Sequence, residues 1–350
     1  MPIRIPQILL RPTPVILFAL GGSSIGYGAY RLRSTSANKS STSLNPSTFT
    51  SFTLASKEPI SSTSAVFTLR HDDPQTSQII QEIRDKACIW SVQAKQPQLQ
   101  IARSYSPLPS SQKQEEPDGA IRLLIRREHN GEVSTYLHNL PFYSTLELRG
   151  PYVELEIPEA VTEILFLAGG TGIAPAMQVA DIIARREDRA RCQILWANRR
   201  REDCVGGDRR SVLPGRLSGW RSLFGLEENV VTVSEDETTE KEDKGLIVRE
   251  LEALKEKAMG KVDVAYFVDE ESDFIKSGHV LEHLRHSLRH NGSGKVSEDG
   301  GQKLILVSGP DGFIEHWAGK KVWVGGHEAQ GPLGGVLSRI DLKDWKVWKL

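Results

Sequence analysis

The run Ile164-Leu165-Phe166-Leu167-Ala168-Gly169-Gly170-Thr171-Gly172-Ile173-Ala174-Pro175 constrains this chain more than any other stretch. An apolar segment of strand length feeds directly into a glycine turn. A helical pattern over 176–186 follows, with Met177, Val179, Ala180, Ile182 and Ile183 on its apolar side. A strand that ends on glycines at a helix N-terminus lets backbone N–H groups approach an anion closely, with the positive end of the helix dipole behind them. A pyrophosphate is the expected guest, although a turn of this kind also occurs for packing alone.

The texture of the chain changes around this motif. Before Pro158 come short alternating or apolar segments divided by turn residues: 49–54, 65–69, 87–92, 99–105, 121–127 and 146–148. Several short strands of this kind predict a small antiparallel barrel or sandwich. After Pro158 strands alternate with helical stretches, at 164–168, 193–197, 230–233, 262–267 and 304–307, with a helix over 246–258. That alternation predicts a parallel sheet with crossover helices. Three scattered cysteines, Cys88, Cys192 and Cys204, have neither metal-ligand spacing nor a disulfide pattern, so no metal site is expected.

Charge singles out the N-terminal part. Residues 1–57 hold six basic residues and no acid; with a net charge of −1 overall, the remainder carries −7. An arginine-bearing, acid-free, Ser/Thr-rich leader has the composition of a mitochondrial transit segment. Within it, Pro12 to Tyr30 carries no charge and is flanked by Arg11 and by Arg31 and Arg33. As a helix it reaches about 28 Å, enough for the hydrocarbon core of a bilayer. A single membrane anchor is expected, with a cleaved presequence as the alternative. The expected division is a leader and anchor over 1–33, a polar tether over 34–48, a barrel over 49–158, an α/β domain over 159–318 and a tail over 319–350.

In the β half, Arg103-Ser104-Tyr105-Ser106-Pro107 ends a strand pattern, with Arg103 and Tyr105 on one face. Arginine offers a planar donor fork to a pyrophosphate, and tyrosine can pack along an aromatic ring. By itself the pattern also fits an edge strand with an exposed Arg and a half-buried Tyr. Gly131-Glu132-Val133-Ser134 opens a short helix whose N-terminal amides could again hold phosphate, with Ser134 as a plausible cap. Ser308-Gly309-Pro310 follows the 304–307 strand, where a second small-residue turn faces the same crevice as the first.

In order and spacing, these motifs resemble the ferredoxin–NADP reductase superfamily, and its cytochrome b5 reductase branch in particular. The resemblance spans roughly 49–318 and implies an antiparallel FAD-binding β-barrel followed by a parallel-sheet nucleotide-binding domain. It implies that Arg103 pairs the flavin pyrophosphate, that Tyr105 lies against the ring and that Ser106 bonds near the reactive nitrogen. Gly131, Val133 and Ser134 would hold flavin phosphate, with Arg126 counted in the cofactor-binding set. Gly169, Gly170, Thr171, Gly172 and Pro175 would face NADH or NADPH, together with Gly309 and Pro310. The catalytic set is expected to be Tyr105, Ser106 and Ser308. Ser308 departs from the pattern, since the family carries Cys before Gly-Pro; slower hydride transfer is expected.

The leader, reductase body and Gly-rich aromatic tail together look like the membrane-bound flavoproteins that support haem attachment to apocytochrome c in fungal mitochondria. That likeness implies an inner-membrane anchor, soluble domains in the intermembrane space, and haem lyase and apocytochrome c as partners. An electron-transfer reductase with another acceptor and a weakly catalytic flavoprotein adaptor are the alternatives. Two further features are weighed apart. His279, His283, His286 and His290 fall on one side of a helical pattern, opposite Leu281, Leu284 and Leu288, and are expected to face solvent. Arg199-Arg200-Arg201 is expected to be a solvated loop, with contact to a nucleotide 2′-phosphate as the alternative.

Overall fold

The computed structural model describes residues 43–110, 119–207, 244–291 and 301–350. The leader, the anchor candidate at 12–30, most of the tether and the 230–233 segment lie outside the described residues. Among the described residues no helix is long and apolar enough to cross a membrane. Ser43 to Leu350 form one compact unit.

The first half is an antiparallel sheet of six strands: β1 (Thr50–Pro59), β2 (Ser64–Arg70), β3 (Cys88–Gln96), β4 (Ile101–Tyr105), β5 (Ile121–Arg126) and β6 (Thr145–Glu156). Their spatial order is β4-β3-β6-β1-β2-β5. The sheet curls until its edges meet: Pro107, just past β4, bridges Leu123 of β5, and the Leu108 N–H donates to the Arg122 carbonyl at 2.8 Å. Closure removes the open edges that an antiparallel sheet must otherwise protect. Phe52, Leu54, Phe67, Leu69, Trp90, Val92 and Leu148 fill the interior. A helix unforeseen in the sequence, α1 (Pro74–Asp85), covers one end with Ile80 and Ile83. Asp73 caps it by accepting the Thr76 N–H at 3.0 Å, and Pro74 sits where an N–H would be unpaired in any case. The second helix, α2 (Glu132–Asn139), starts at Gly131. Ser134 is not its cap: its hydroxyl accepts from the Glu128 N–H at 3.0 Å and donates to the Gly131 carbonyl at 3.1 Å, closing the preceding turn.

Among the described residues the second half is a five-stranded parallel sheet: β7 (Val161–Gly169), β8 (Arg191–Asn198), β9 (Val262–Val268), β10 (Gln302–Ser308) and, past a short hairpin of β11 (Val322–Val324) and β12 (His327–Ala329), β13 (Trp345–Lys349). The order β13-β10-β7-β8-β9 puts β7 at the centre. β8 pairs directly with β9, and the tail supplies an edge strand through β13, which the sequence pattern does not separate from the rest of the tail. Helices α3 (Ile173–Arg185) and α4 (Leu246–Lys257) pack on one face; α5 (Ser277–Asn291) and α6 (Asp311–Ala318) belong to the other.

The α3 face is also the domain interface, because its apolar cluster continues into Val66, Ile89, Leu108 and Leu124 of the barrel. Polar links reinforce it. Arg122 of β5 pairs with Glu250 of α4 at 2.5 Å, and Arg126 pairs with Asp203 at 2.5 Å.

The histidine stripe departs from expectation in part: His286 is exposed as expected, but His279 and His283 are half-buried. Val280, Leu284 and Ser287 form the buried line of α5, at positions i, i+4 and i+7, and His283 stands one turn from two of them. His279 packs on Phe267 and His283 meets Trp345 edge-on, with ring centroids 5.0 and 5.6 Å apart. Burial lowers the His283 pKa to about 4. Its Nε2 lies 3.4 Å from a Glu163 carboxylate oxygen, and the Ser287 hydroxyl links Glu163 to the buried Lys303 ammonium. The side chain of His290 lies outside the described residues.

Candidate functional site

Carboxyl ends of the central strands of a doubly wound sheet converge on one crevice. Here β7 runs through the Gly170–Gly172 turn into α3, and β10, its parallel neighbour, runs through Ser308 and Gly309 into α6. The two turns touch backbone to backbone. A Cβ on Gly172 would lie 2.4 Å from the Ser308 carbonyl oxygen, and one on Gly309 would lie 3.0 Å from Gly169 Cα. These contacts, rather than turn geometry alone, demand glycine. Gly172 precedes α3 with no side-chain cap, so the first-turn N–H groups are not taken up by a capping side chain.

The barrel supplies the facing wall. Between barrel and sheet lies a cleft of about 750 Å³, lined by Arg103, Tyr105 and Ser106 on one side and by Thr171, Gly172, Pro175, Ser308 and Gly309 on the other. Arg103 is exposed, and its guanidinium donates to the Ala102 carbonyl at 3.1 Å. Tyr105 is half-buried, and desolvation pushes its phenol up to about 12, so the ring stays neutral across the physiological range. Ser308 is buried at the floor of the cleft.

The remaining expected residues are not among the lining of this cleft. Arg126 lies behind the glycine turn, with its guanidinium carbon 3.7 Å from where a Gly170 Cβ would be, and is committed to Asp203. Val133 is a core residue of the barrel, and the Ser134 hydroxyl is occupied within its turn. Gly169 packs on the Phe313 ring and Gly170 accepts from the Trp196 indole at 2.9 Å, so both support the turn from behind. Pro310 precedes α6. Of the arginine run, Arg200 bonds Ser62 and Glu202, while Arg201 pairs with Glu271 and donates to the Gly207 carbonyl.

Several contributors are not evident from sequence. Gln178 sits on the buried side of α3; its Oε1 accepts the Trp90 N–H at 2.9 Å, and its Nε2 donates to the Trp90 and Pro107 carbonyls at 3.1 and 2.7 Å. It therefore ties the helix behind the glycine turn to the residue after Ser106. A polar amide between Met177 and Val179 on an apolar face is the available signal. Ser91 and Glu154 also line the cleft and share a 2.5 Å hydrogen bond. From the tail come Trp323 of β11, 75% exposed, and Lys320 and Lys321 beside it. The Gly-rich stretch of the tail is structural, because the Gly334 and Val336 N–H groups bond the Ala318 and His316 carbonyls and close the end of α6. Lys349 is buried, and its ammonium holds the Lys320 and Pro332 carbonyls at 3.0 Å each, which pins the base of the hairpin to β13.

Comparison with known proteins agrees with this geometry. The family model described as an oxidoreductase FAD-binding domain matches residues 51–157, and that of an oxidoreductase NAD-binding domain matches 166–247. Together they take in more than half of the chain. This chain belongs to the FAD- and NAD-binding oxidoreductases of the ferredoxin–NADP reductase family. It is 30% identical over 154 residues to the cytochrome c mitochondrial import factor of Saccharomyces cerevisiae, covering 41% of each chain. It is also 30% identical over 204 residues to NADH-cytochrome b5 reductase 1 of Aspergillus terreus, covering 55% of this chain and 65% of that one. The chain thus spans less than two thirds of both relatives. Among solved structures, the cytochrome b5 reductase domain of Ulva prolifera nitrate reductase aligns over 78% of this chain and 91% of its own, with 18% identity and a TM-score of 0.46.

The cleft fits the two cofactors that these domains bind. Close glycine packing holds the two turns together at the cleft, a helix start without a side-chain cap and the Thr171 hydroxyl suit a nucleotide phosphate, and an exposed guanidinium stands on the barrel wall beside a neutral tyrosine ring.

Proposed function

We propose that this chain is an FAD-dependent NAD(P)H oxidoreductase that serves cytochrome c maturation, held by its leader at the mitochondrial inner membrane with the soluble unit in the intermembrane space. Bound flavin supplies the conversion of a two-electron hydride into single electrons. Arg103 holds the flavin pyrophosphate, Tyr105 packs along the ring and Ser106 bonds its edge. Thr171 and the amides of the Gly170–Gly172 turn hold the nucleotide phosphates, and Ser308 abuts the nicotinamide. The acceptor is ferric haem iron, or the disulfide form of the apocytochrome c thiols, and its reduction keeps either group ready for haem lyase.

One observation carries the reading: the barrel strand ending in Arg103-Ser104-Tyr105-Ser106 lines the same cleft as the glycine turn and Ser308-Gly309. The maturation role draws on the transit-like leader and on the likeness to the yeast import factor. The full chain purified in detergent should carry a flavin spectrum that bleaches anaerobically on addition of NADH or NADPH. A colourless protein refutes the proposal, as does flavin retained at wild-type affinity by Arg103→Ala. Ser308 favours a second reading, a flavin-fold adaptor for haem lyase that turns over little; yellow protein that NADH and NADPH both leave oxidised would select it.

A further inference from the structure

On β6 the ladder slips. Val153 stands opposite Trp90 and Leu155 opposite Ile89, so Glu154 is an extra residue with no partner on β3. A β-bulge of this kind bends the strand and re-aims a side chain. Here the re-aimed carboxylate lines the cleft, where the hydroxyl of buried Ser91 donates to Oε1 at 2.5 Å. Ser91 faces the cleft because alternation along β3 sends Ile89 and Ser91 outward and Trp90 and Val92 into the barrel. Val92 pairs with Tyr105, so Ser91 and Ser106 are the next residues on neighbouring strands. The pair therefore stands beside Ser106 in the cleft lining, while Tyr105 shares the opposite face of the ladder with Val92.

A carboxylate only accepts hydrogen bonds. Glu154 lines the cleft and is exposed, so with Oε1 held by Ser91 its other oxygen is open to a ligand bound there. Arg103 on the same wall favours the anionic end of a ligand; Glu154 favours an edge that carries N–H groups. The ring system of a flavin has such an edge, and so does the carboxamide of a nicotinamide. The barrel wall is the flavin side of the cleft in the function proposed above, on which this inference rests.

We propose that Glu154, aimed by the bulge and held by Ser91, accepts the N–H edge of the flavin ring and lowers its reduction potential. Reduction adds negative charge to the ring, and a fixed carboxylate beside it disfavours that state. A unit charge several ångströms away across a partly hydrated cleft changes the reduction equilibrium roughly tenfold, which is about 30 mV for a two-electron couple.

The test is the flavin midpoint potential of the FAD-loaded full chain, measured by dye equilibration for wild type, Glu154→Gln and Ser91→Ala. Glu154→Gln keeps the shape and an acceptor oxygen but removes the charge, and should raise the potential by about 30 mV. Ser91→Ala leaves the charge but frees the carboxylate to move into water, and should give a smaller rise. An unmoved potential in Glu154→Gln with FAD still bound overturns the proposal, and a weakened NADH affinity alongside it would place the carboxylate on the carboxamide instead. A wild-type chain that binds no FAD would defeat the proposed function as well, so the two failures are distinguishable.

Discussion

Replacing Gln178 by Leu removes three hydrogen bonds between α3 and the barrel while nearly keeping the side-chain volume. All three are buried, and their partners are main-chain groups, the Trp90 N–H and carbonyl and the Pro107 carbonyl. A buried hydrogen bond contributes a net ~1 kcal/mol, and each group left unpaired away from water costs about 1–3 kcal/mol. The Trp90 and Pro107 groups have no water to turn to, because Leu108 and Ile89 belong to the apolar cluster around α3. Allowing for some relaxation, the loss comes to about 4 kcal/mol. In urea, with a slope of about 3 kcal/mol/M for a unit of this size, the midpoint should fall by roughly 1.3 M. Because Gln178 joins the two halves, barrel and sheet should also begin to unfold separately, so that tryptophan fluorescence and far-UV circular dichroism cease to coincide. The position of Ser106, one residue from Pro107, would loosen too, and FAD should be held less tightly. A midpoint shift below about 0.3 M with coincident transitions would refute the claim that this amide couples the domains.

Ser308→Cys, at a buried position in the cleft lining, should speed flavin reduction by NAD(P)H in anaerobic stopped flow; an unchanged rate would show that the hydroxyl is not limiting. Gly172→Ala should cost several kcal/mol or prevent folding, since its Cβ would meet the Ser308 carbonyl at 2.4 Å and both partners are backbone; a stable variant with normal nucleotide affinity would contradict the close packing of the two turns. Stability should depend on His283. With its folded pKa lowered to about 4, the unfolded chain takes up a proton between about pH 6.5 and 4 that the folded chain refuses. Stability is then lost as pH falls through that window, by up to ~3 kcal/mol. Burial raises the Glu163 pKa, which works the other way, favouring the folded state at low pH and fading as pH rises above the ordinary carboxylate range. Urea titrations at pH 7 and pH 5 should therefore show a shallower loss in His283→Phe than in wild type; equal losses would remove His283 as the cause.

Much of the architecture is legible in the sequence because it rests on local periodicity. Alternation marks the barrel strands, the apolar run before Gly169 marks the central strand, and the glycine turn marks the start of α3. The resemblance of the motifs to the ferredoxin–NADP reductase family implies a single site holding Arg103, Tyr105, Ser106, Thr171, Gly172 and Ser308, and the fold does bring them to one cleft. The helix α1 is harder to see, because its start signal is confined to Asp73 and Pro74 within a polar stretch. The histidine stripe holds at exposed His286 and misleads at His283, because a helix wheel ranks faces by hydrophobicity alone, whereas Glu163, Ser287 and Lys303 provide a polar setting that accepts His283.

What only the tertiary structure decided are the relations between residues far apart in the chain. The glycines of two separate turns are required by each other's backbone, which no turn propensity reveals. The Arg126 guanidinium meets Asp203 and the Ser134 hydroxyl closes a local turn, because hydrogen-bond partners are assigned by proximity and not by spacing, while the first-turn amides of α2 carry no side-chain cap. The tail reads as a Gly-rich appendage, yet it closes α6, supplies the edge strand β13 and sets Trp323 at the cleft. Glu154 is the clearest case. As an acid on a strand it gives no sign of a partner, and only the slipped register opposite Trp90 and Ile89 sets its carboxylate on Ser91 at the cleft, where the residue stays exposed. Local sequence sets which elements form, because their periodicity is a property of neighbouring residues. The chemistry of the cleft depends on register and close approach, which exist only once the elements have packed.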